Sequence, residues 1–176
     1  MSTIRLRPIP TPIGDMMAGA TDTHLVMFEF EHRKMYNTQI EKLRGSLGAE
    51  LVLGDSPVFD ELRRELDEYF EGTRRDFTIP LLTPRTPFQV RVWDALRRIP
   101  SGTTTSYKAL ATSIGQPEAI RAVARANGDN RIAVLIPCHR VIGSDGQLVG
   151  YGGGLWRKRK LLDLEARATN LSLFDG

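Results

Sequence analysis

The chain is poor in the residue types that build disulfides, metal sites and membrane spans. Its 176 residues include one cysteine, and the three histidines (His24, His32 and His139) are widely separated. A single cysteine cannot form an internal disulfide or complete a structural zinc site. No apolar run approaches the roughly 20 residues of a membrane span, and the sequence has no signal-peptide pattern, repeat or low-complexity segment. We therefore expect an intracellular, cytoplasmic globular protein that binds no metal.

Charge is distributed unevenly along the chain. Residues 1–90 carry 11 Lys/Arg and 14 Asp/Glu, a net charge of −3, whereas residues 91–176 carry 13 and 7, a net charge of +6. A basic second half is typical of a protein that binds a polyanion through one domain. A solvated basic face would give the same numbers, so charge alone leaves both interpretations open.

The first half predicts an α+β domain over residues 1–82. Strands are expected at Ile4–Arg7 and Leu25–Phe30, with turns marked by Pro8, Pro10, Pro12 and Gly14. The clearest helix begins at Ser56-Pro57, a cap followed by a proline in the first turn, and ends at Gly72. Its predicted core stripe consists of Phe59, Leu62, Leu66, Tyr69 and Phe70. Residues 73–85 predict a short strand and then a linker.

The second half, residues 86–176, predicts a mainly helical domain. Thr86-Pro87 opens a helix in which Phe88, Val92, Trp93 and Leu96 recur at helical spacing. Residues 105–111 and 117–126 then predict two short helices joined by a turn at Gly115-Gln116, a helix-turn-helix candidate. Helix hairpins without DNA are common. The basic second helix, in which small alanines accompany Arg121 and Arg125 one turn apart, favours DNA binding.

The lone cysteine follows the apolar residues Ile132–Ile136 and a proline. A cysteine in an apolar strand is usually an inert core residue. Pro137, however, cannot donate a sheet hydrogen bond, so we expect the strand to end there and to present the Cys138 thiol at an edge. An adjacent imidazole, that of His139, would convert the thiol to the reactive thiolate directly or through water. Glu165 in the C-terminal helix is the expected group that orients His139.

The block from Asn130 through Ile136-Pro137-Cys138-His139-Arg140-Val141 resembles the O6-alkylguanine-DNA alkyltransferases. The resemblance covers the second half almost continuously and the first half only loosely, in its length and its turn at Thr11–Gly14. The other matching segments are the Pro87-Phe88 helix, Ser106-Tyr107, Arg121–Val123, Gly150–Gly154 and Leu161–Glu165. The resemblance implies a small ribonuclease H-like α/β domain followed by a mainly helical domain with a DNA-binding helix-turn-helix.

The resemblance also implies roles for individual residues. The catalytic group would be Cys138, His139, Glu165, Tyr107 and the hinge residue Asn130. The substrate pocket would be lined by Tyr107, Val141, Tyr151, Gly152 and Gly153, with the carbonyls of Cys138 and Val141 and the N–H of Gly152 contacting the base. DNA would be contacted by Arg121, Ala122, Arg125, Ser106 and Tyr107.

The implied reaction is a single, irreversible alkyl transfer from O6-alkylguanine to Cys138, without a cofactor. We extend this expectation to O4-alkylthymine. The partner would be double-stranded DNA bound through its minor groove, with the damaged base flipped out. The protein would be a monomer in solution, with clustering on DNA left open. Two alternatives remain: a helix-turn-helix regulator without alkyl transfer, and a cysteine hydrolase. Gly152, Arg125 and Asn127 depart from residues common in the family.

Overall fold

The computed structural model describes residues 2–33 and 35–174, with side chains as far as residue 170. The chain divides into two compact units, Met1–Arg85 and Thr86–Gly176. The first is a mixed sheet and helix unit and the second is mainly helical, as predicted. Within the described ranges, no helix is both long and apolar enough to cross a bilayer.

The first unit is built on a four-stranded sheet. In chain order its elements are β1 (Ser2–Ile9), β2 (Met16–Ala20), β3 (Leu25–Phe30), α1 (Tyr36–Leu47), β4 (Ala49–Leu53) and α2 (Pro57–Glu71). The strand order is β3-β2-β1-β4, with β4 parallel to β1 and the other neighbours antiparallel. Every residue of β3 is buried, including Glu29, and burial on both faces explains why the other five residues are all apolar rather than alternating.

Helix α2 follows its capping signals. The Ser56 hydroxyl accepts a hydrogen bond from the Val58 N–H, Pro57 occupies the first turn, and Gly72 ends the helix at φ 86°, a conformation that glycine adopts without steric cost. Four of the five predicted core residues, Phe59, Leu62, Leu66 and Tyr69, are buried. The predicted helix and its core stripe are therefore confirmed, with Phe70 only partly buried.

Two expectations for the first unit are wrong. Pro8 lies in β1, opposite Met17, rather than in a turn. On the other side of β1, β4 pairs only as far as Leu6. No strand beside Pro8 on that side therefore needs a hydrogen bond from the backbone N–H that proline lacks. Residues 73–85 form no strand, and their only sheet contact is an isolated bridge between Leu81 and Leu25. Prolines at 80 and 84 interrupt the backbone donors that a strand would need.

The second unit contains the elements that carry the cysteine. In chain order these are α3 (Pro87–Arg97), β5 (Thr105–Ser106), α4 (Tyr107–Ser113), α5 (Ile120–Gly128), a 3-10 turn (Cys138–Arg140), β6 (Val141–Ile142) and α6 (Leu155–Phe174). Thr86 caps α3 in a capping box with Gln89, as its sequence indicates. The Trp93 Nε1–H donates to the Ala126 carbonyl at 2.9 Å and so joins α3 to α5.

Helix α5 begins three residues later than predicted. Pro117 and Glu118 lie in a separate turn, closed by a 2.9 Å hydrogen bond from the Ala119 N–H to the Gln116 carbonyl. The helix proper therefore begins at Ile120. The predicted pair of helices is present as α4 and α5, joined by residues 114–119.

The apolar segment before the cysteine is not a strand, and that prediction is wrong. Its backbone makes turns, with hydrogen bonds from the Ile136 N–H to the Ile132 carbonyl and from the Leu135 N–H to the Ala133 carbonyl, and Val134 has a φ of 71°. Residues 130–141 are all buried. Complete burial removes the alternation by which a strand is recognised, so an apolar run of this length predicts a strand and a buried coil equally well.

Candidate active site

Cys138 is the first residue of the 3-10 turn and is 8% exposed. Its N–H donates to the Ile136 carbonyl at 2.8 Å, and its own carbonyl accepts from the Val141 N–H. The backbone on both sides of the thiol is therefore fixed by hydrogen bonds. The remaining exposure leaves a narrow approach to a side chain that is otherwise enclosed.

His139 and Glu165 form a buried pair. Both side chains are at most 1% exposed, and His139 Nε2 lies 2.9 Å from Glu165 Oε2. An ionised carboxylate can only accept hydrogen bonds, so Nε2 carries the ring proton and Nδ1 holds the lone pair. Nδ1 is buried and has no hydrogen-bond partner among the described residues. The imidazole is thus oriented with a free basic nitrogen, which is what activation of a nearby thiol requires.

Arg140 completes this arrangement, although no role for it was predicted from the sequence. Its Nε and Nη2 donate to the two carboxylate oxygens of Glu165 at 2.9 and 2.7 Å, and its Nη1 donates to the Ile99 carbonyl at 2.6 Å. The two-pronged pairing is the geometry that a guanidinium provides and an ammonium does not. Glu165 therefore accepts three hydrogen bonds from two side chains that follow the cysteine directly.

The ionisation of Glu165 follows from these contacts. Burial alone would raise the pKa of this carboxyl, but its interactions with His139, and then those with Arg140, outweigh it and lower the pKa from 4.5 to about 2. Glu165 is accordingly ionised throughout the neutral and mildly acidic range. This supports the assignment of the Nε2–H tautomer to His139.

The lowered pKa predicts acid sensitivity of the second unit. A carboxyl whose pKa is lower folded than unfolded stabilises the fold above its unfolded value, and this stabilisation is lost as the pH falls through the folded value. With a shift from 4.5 to about 2, Glu165 contributes on the order of 3 kcal/mol above pH 5, which is lost between about pH 4.5 and 2. Urea unfolding across this range, compared with Glu165→Gln, measures it; a variant with the same acid profile would contradict the assignment.

Lys158 is a second functional candidate that the sequence did not reveal. It is fully buried in α6, and its Nζ donates to the carbonyls of Val141, Val149 and Gly150 at 2.6, 2.8 and 3.3 Å. Burial lowers the pKa of this amine, and the charge of Cys138 acts in the opposite direction. Lys158 therefore ties the segment before Tyr151 to the strand after the cysteine, within electrostatic range of the thiol.

Tyr107 is brought to the cysteine segment by the small parallel sheet. Thr105 pairs with Val141 and Ser106 with Ile142, and Tyr107 follows directly as the first residue of α4. Burial and then the charge of Cys138 raise the pKa of its phenol, while a hydrogen bond from the Asn127 side chain lowers it. The phenol thus lies near both the thiol and the end of α5. Ser106 uses its hydroxyl to cap α4, accepting from the Ala109 N–H.

Asn130 holds the turns that precede the cysteine. Its Nδ2 donates to the Ile136 carbonyl at 2.8 Å, and its Oδ1 accepts from the Ile132 N–H at 3.0 Å. The side chain is 2% exposed. Asn130 thus supplies hydrogen-bond partners to the backbone of the coil segment between the end of α5 and the thiol.

The glycine loop lies next along the chain. Tyr151 is partly buried, Gly152 is exposed and Gly153 is buried. Gly154 has a φ of 92°, and its N–H donates to the Tyr151 carbonyl at 2.9 Å.

The backbone carbonyls of Cys138 and Val141, which are expected to accept hydrogen bonds from the flipped base, each already accept one protein hydrogen bond. A carbonyl oxygen can accept a second one.

The predicted DNA-contacting residues of α5 share its exposed face. Arg121, Ala122 and Arg125 are exposed, while Val123 and Ala126 are buried on the opposite side. Helical spacing sets the two arginines one turn apart. Of the predicted set, His139, which directly follows the buried Cys138, forms a buried pair with Glu165, Tyr107 and Asn130 border the cysteine segment, and the arginines lie on the surface of the same unit.

Comparison with known proteins accounts for both units. Residues 4–83 match the family model for the ribonuclease-like domain of 6-O-methylguanine DNA methyltransferase, and residues 87–167 match the model for its DNA binding domain. The chain belongs to the 6-O-methylguanine DNA methyltransferase family. The predicted fold, a small mixed domain followed by a mainly helical one, is confirmed with it.

Relatives in this family align over nearly the whole chain. The methylated-DNA–protein-cysteine methyltransferase of Mycobacterium tuberculosis H37Rv is 42% identical over 179 residues, covering 98% of this chain and 99% of that protein. The Mycobacterium leprae protein of the same name is 51% identical over 125 residues, covering 70% and 76%. The crystal structure of Mycobacterium tuberculosis OGT in complex with DNA is similar with a TM-score of 0.79 and 38% identity, covering 98% and 99%.

Proposed function

We propose that this chain repairs DNA by transferring an alkyl group from O6-alkylguanine to the Sγ of Cys138. The observation that carries the proposal is the buried contact between Glu165 and His139, next to the chain's single cysteine. These residues lie in a unit that matches the family's DNA binding domain. Such a cluster produces a thiolate, and the thiolate is the form of cysteine that displaces a leaving group.

The reaction is a displacement at the alkyl carbon. His139 Nδ1 takes the thiol proton, directly or through water, and Glu165 stabilises the imidazolium that forms. The Sγ–C bond forms as the C–O6 bond breaks, and the electron pair leaves with the guanine. Burial raises the pKa of the Tyr107 phenol, so it keeps its proton at neutral pH and is the proposed donor to a guanine ring nitrogen. The product is a thioether, which does not hydrolyse, so each protein molecule reacts once.

The DNA substrate binds to the exposed face of α5. In this proposal Arg121 fills the space left by the flipped base, and Arg125 and Ser106 contact phosphates. The flipped guanine lies between Tyr107 and the glycine loop, with Val141, Tyr151, Gly152 and Gly153 lining its pocket and Ala122 allowing close approach to the minor groove. Double-stranded DNA containing O6-alkylguanine, and by extension O4-alkylthymine, is the proposed partner of a monomeric protein.

A stoichiometry assay separates this function from the two alternatives. With O6-methylguanine duplex DNA in excess, we expect methyl transfer to stop at one group per protein molecule. A cysteine hydrolase would continue to turn over on a small ester, and a helix-turn-helix regulator would bind DNA without accepting a methyl group. Either result would contradict the proposal.

The variant Arg121→Ala tests the proposed role of α5. We expect the reaction with duplex DNA to slow about 10- to 100-fold, because Arg121 offsets part of the few kcal/mol that base flipping costs. Reaction with the free base O6-methylguanine needs no flipping and should slow much less. The matched control is Arg97→Ala, an exposed arginine on α3. Equal losses on both substrates would mean that Arg121 serves the fold or the pocket instead.

A further inference from the structure

An open groove at the start of α6 lies outside the proposed alkyl-transfer site. It has a volume of about 560 Å³ and is lined by Gly146, Gln147, Leu148, Leu155, Trp156 and Arg159; we call it the α6 groove. Trp156 is 52% exposed and Leu155 is 47% exposed. Large apolar side chains exposed together mark interaction surfaces more often than single ones do.

The charge beside this groove is strongly positive. Positions 157–160 read Arg-Lys-Arg-Lys, and only Lys158 is turned inward, where it binds three backbone carbonyls. Arg159 and Lys160 are exposed. Two exposed cations beside the groove favour an anionic ligand.

Trp156 and Arg157 form a fixed pair. The Arg157 guanidinium lies 4.2 Å from the centroid of the Trp156 ring, and its Nη1 donates to the Gly153 carbonyl at 2.9 Å. An indole held in this way and left half exposed is a preformed stacking surface. An aromatic ring flanked by arginine and lysine is the combination that binds single-stranded nucleic acids.

We propose that the α6 groove binds a nucleotide of single-stranded DNA, with its base stacked on Trp156 and its phosphate at Arg159. The inference rests on the proposed function and adds a DNA contact at the start of α6 to the one proposed on α5. Charge favours DNA over an apolar partner, and Lys158 links the beginning of α6 to the strand after Cys138.

The test is binding of an unmodified single-stranded oligonucleotide, compared with a duplex of the same sequence. The chain has two tryptophans, and Trp93 is 1% exposed, so quenching of the exposed indole by the oligonucleotide reports on Trp156. Trp156→Ala should weaken single-strand binding about 5- to 150-fold, the effect of losing one base–aromatic stack. Duplex binding should weaken less, because paired bases stack on one another.

Four further variants sharpen the test. Trp156→Phe should restore most of the single-strand affinity, because it keeps an aromatic face. Arg159→Ala should reduce the slope of log K against log salt by about 0.7, the value for one single-strand phosphate. Lys42→Ala and Leu53→Ala, exposed residues of the first unit, are the matched controls and should bind like wild type. Melting temperatures confirm that each variant is folded.

Two results would overturn the inference. One is unchanged single-strand binding by folded Trp156→Ala while the wild type still accepts methyl groups from DNA; this would leave the proposed function intact. The other is a wild-type dimer, seen by sedimentation without DNA, that Trp156→Ala abolishes, which would assign the groove to a second copy of the chain. Failure of the wild type to accept a methyl group would instead contradict the proposed function, since binding to unmodified DNA is measured separately.

Discussion

Cys138→Ser is expected to abolish alkyl transfer while leaving DNA binding close to that of the wild type. Serine keeps the size and the backbone hydrogen bonds of this position, but its hydroxyl is far less readily deprotonated than a thiol and is a poorer nucleophile. The residues of α5 that would contact DNA are exposed, whereas Cys138 is buried. Transfer of a labelled methyl group and binding to an unmodified duplex measure the two properties separately.

The outcome for Cys138→Ser also distinguishes a nucleophile from a core residue. If Cys138 only filled space, the serine variant would lose stability and transfer together, or neither. Stoichiometric methylation of the serine variant would refute the assignment. Loss of DNA binding with retained melting temperature would mean that the cysteine segment itself contributes to the DNA-binding surface.

Glu165→Gln is expected to damage both the fold and the reaction. The amide leaves the guanidinium of Arg140 buried without its counter-charge, and breaking a buried pair in this way costs about 3–5 kcal/mol. The amide N–H₂ can also donate to His139 Nε2 and so favour the tautomer in which Nδ1 carries the proton. That tautomer cannot accept the thiol proton, and we expect transfer at neutral pH to slow by about 10²- to 10⁴-fold.

The matched control for this variant is Glu65→Gln in the first unit. Glu65 is equally buried and accepts hydrogen bonds from the Thr78 backbone and side chain, so its replacement should also lower the free energy of unfolding. It should leave the rate of methyl transfer unchanged, because it lies in the other unit. If Glu165→Gln is too unstable to assay, Arg140→Lys keeps the charge while losing the two-pronged contact, and a smaller loss of stability is expected. Wild-type transfer by folded Glu165→Gln would contradict the role of the carboxylate.

Local signals in the sequence predicted the helices that begin with a capping residue followed by a proline. Ser56-Pro57 and Thr86-Pro87 each combine a hydroxyl that caps the helix with a proline that needs no N–H partner, and both helices begin there. These signals act within a few residues, so they do not depend on the rest of the fold. Strand β2 gave no such signal, because Met16–Ala20 contains neither alternation nor β-branched residues.

The site was predictable where chemistry singles out a residue and hidden where it does not. A lone cysteine next to a histidine is conspicuous, and the need of that histidine for an orienting acceptor indicated Glu165 in the C-terminal helix. Arg140 and Lys158 are inconspicuous in a chain with 24 Lys/Arg, since most such residues are solvated. Their roles depend on burial: Arg140 is 4% exposed and Lys158 is fully buried. A buried cation must find acceptors, and only the three-dimensional structure shows which ones.

The most direct test of the account is mass spectrometry of the protein after reaction with O6-methylguanine duplex DNA. We predict that the intact protein gains the mass of one methyl group and that peptide analysis locates it on the peptide containing Cys138. Excess DNA should add no second group. An unmodified protein, or a methyl group located on any other residue, would contradict the central claim that Cys138 accepts the alkyl group.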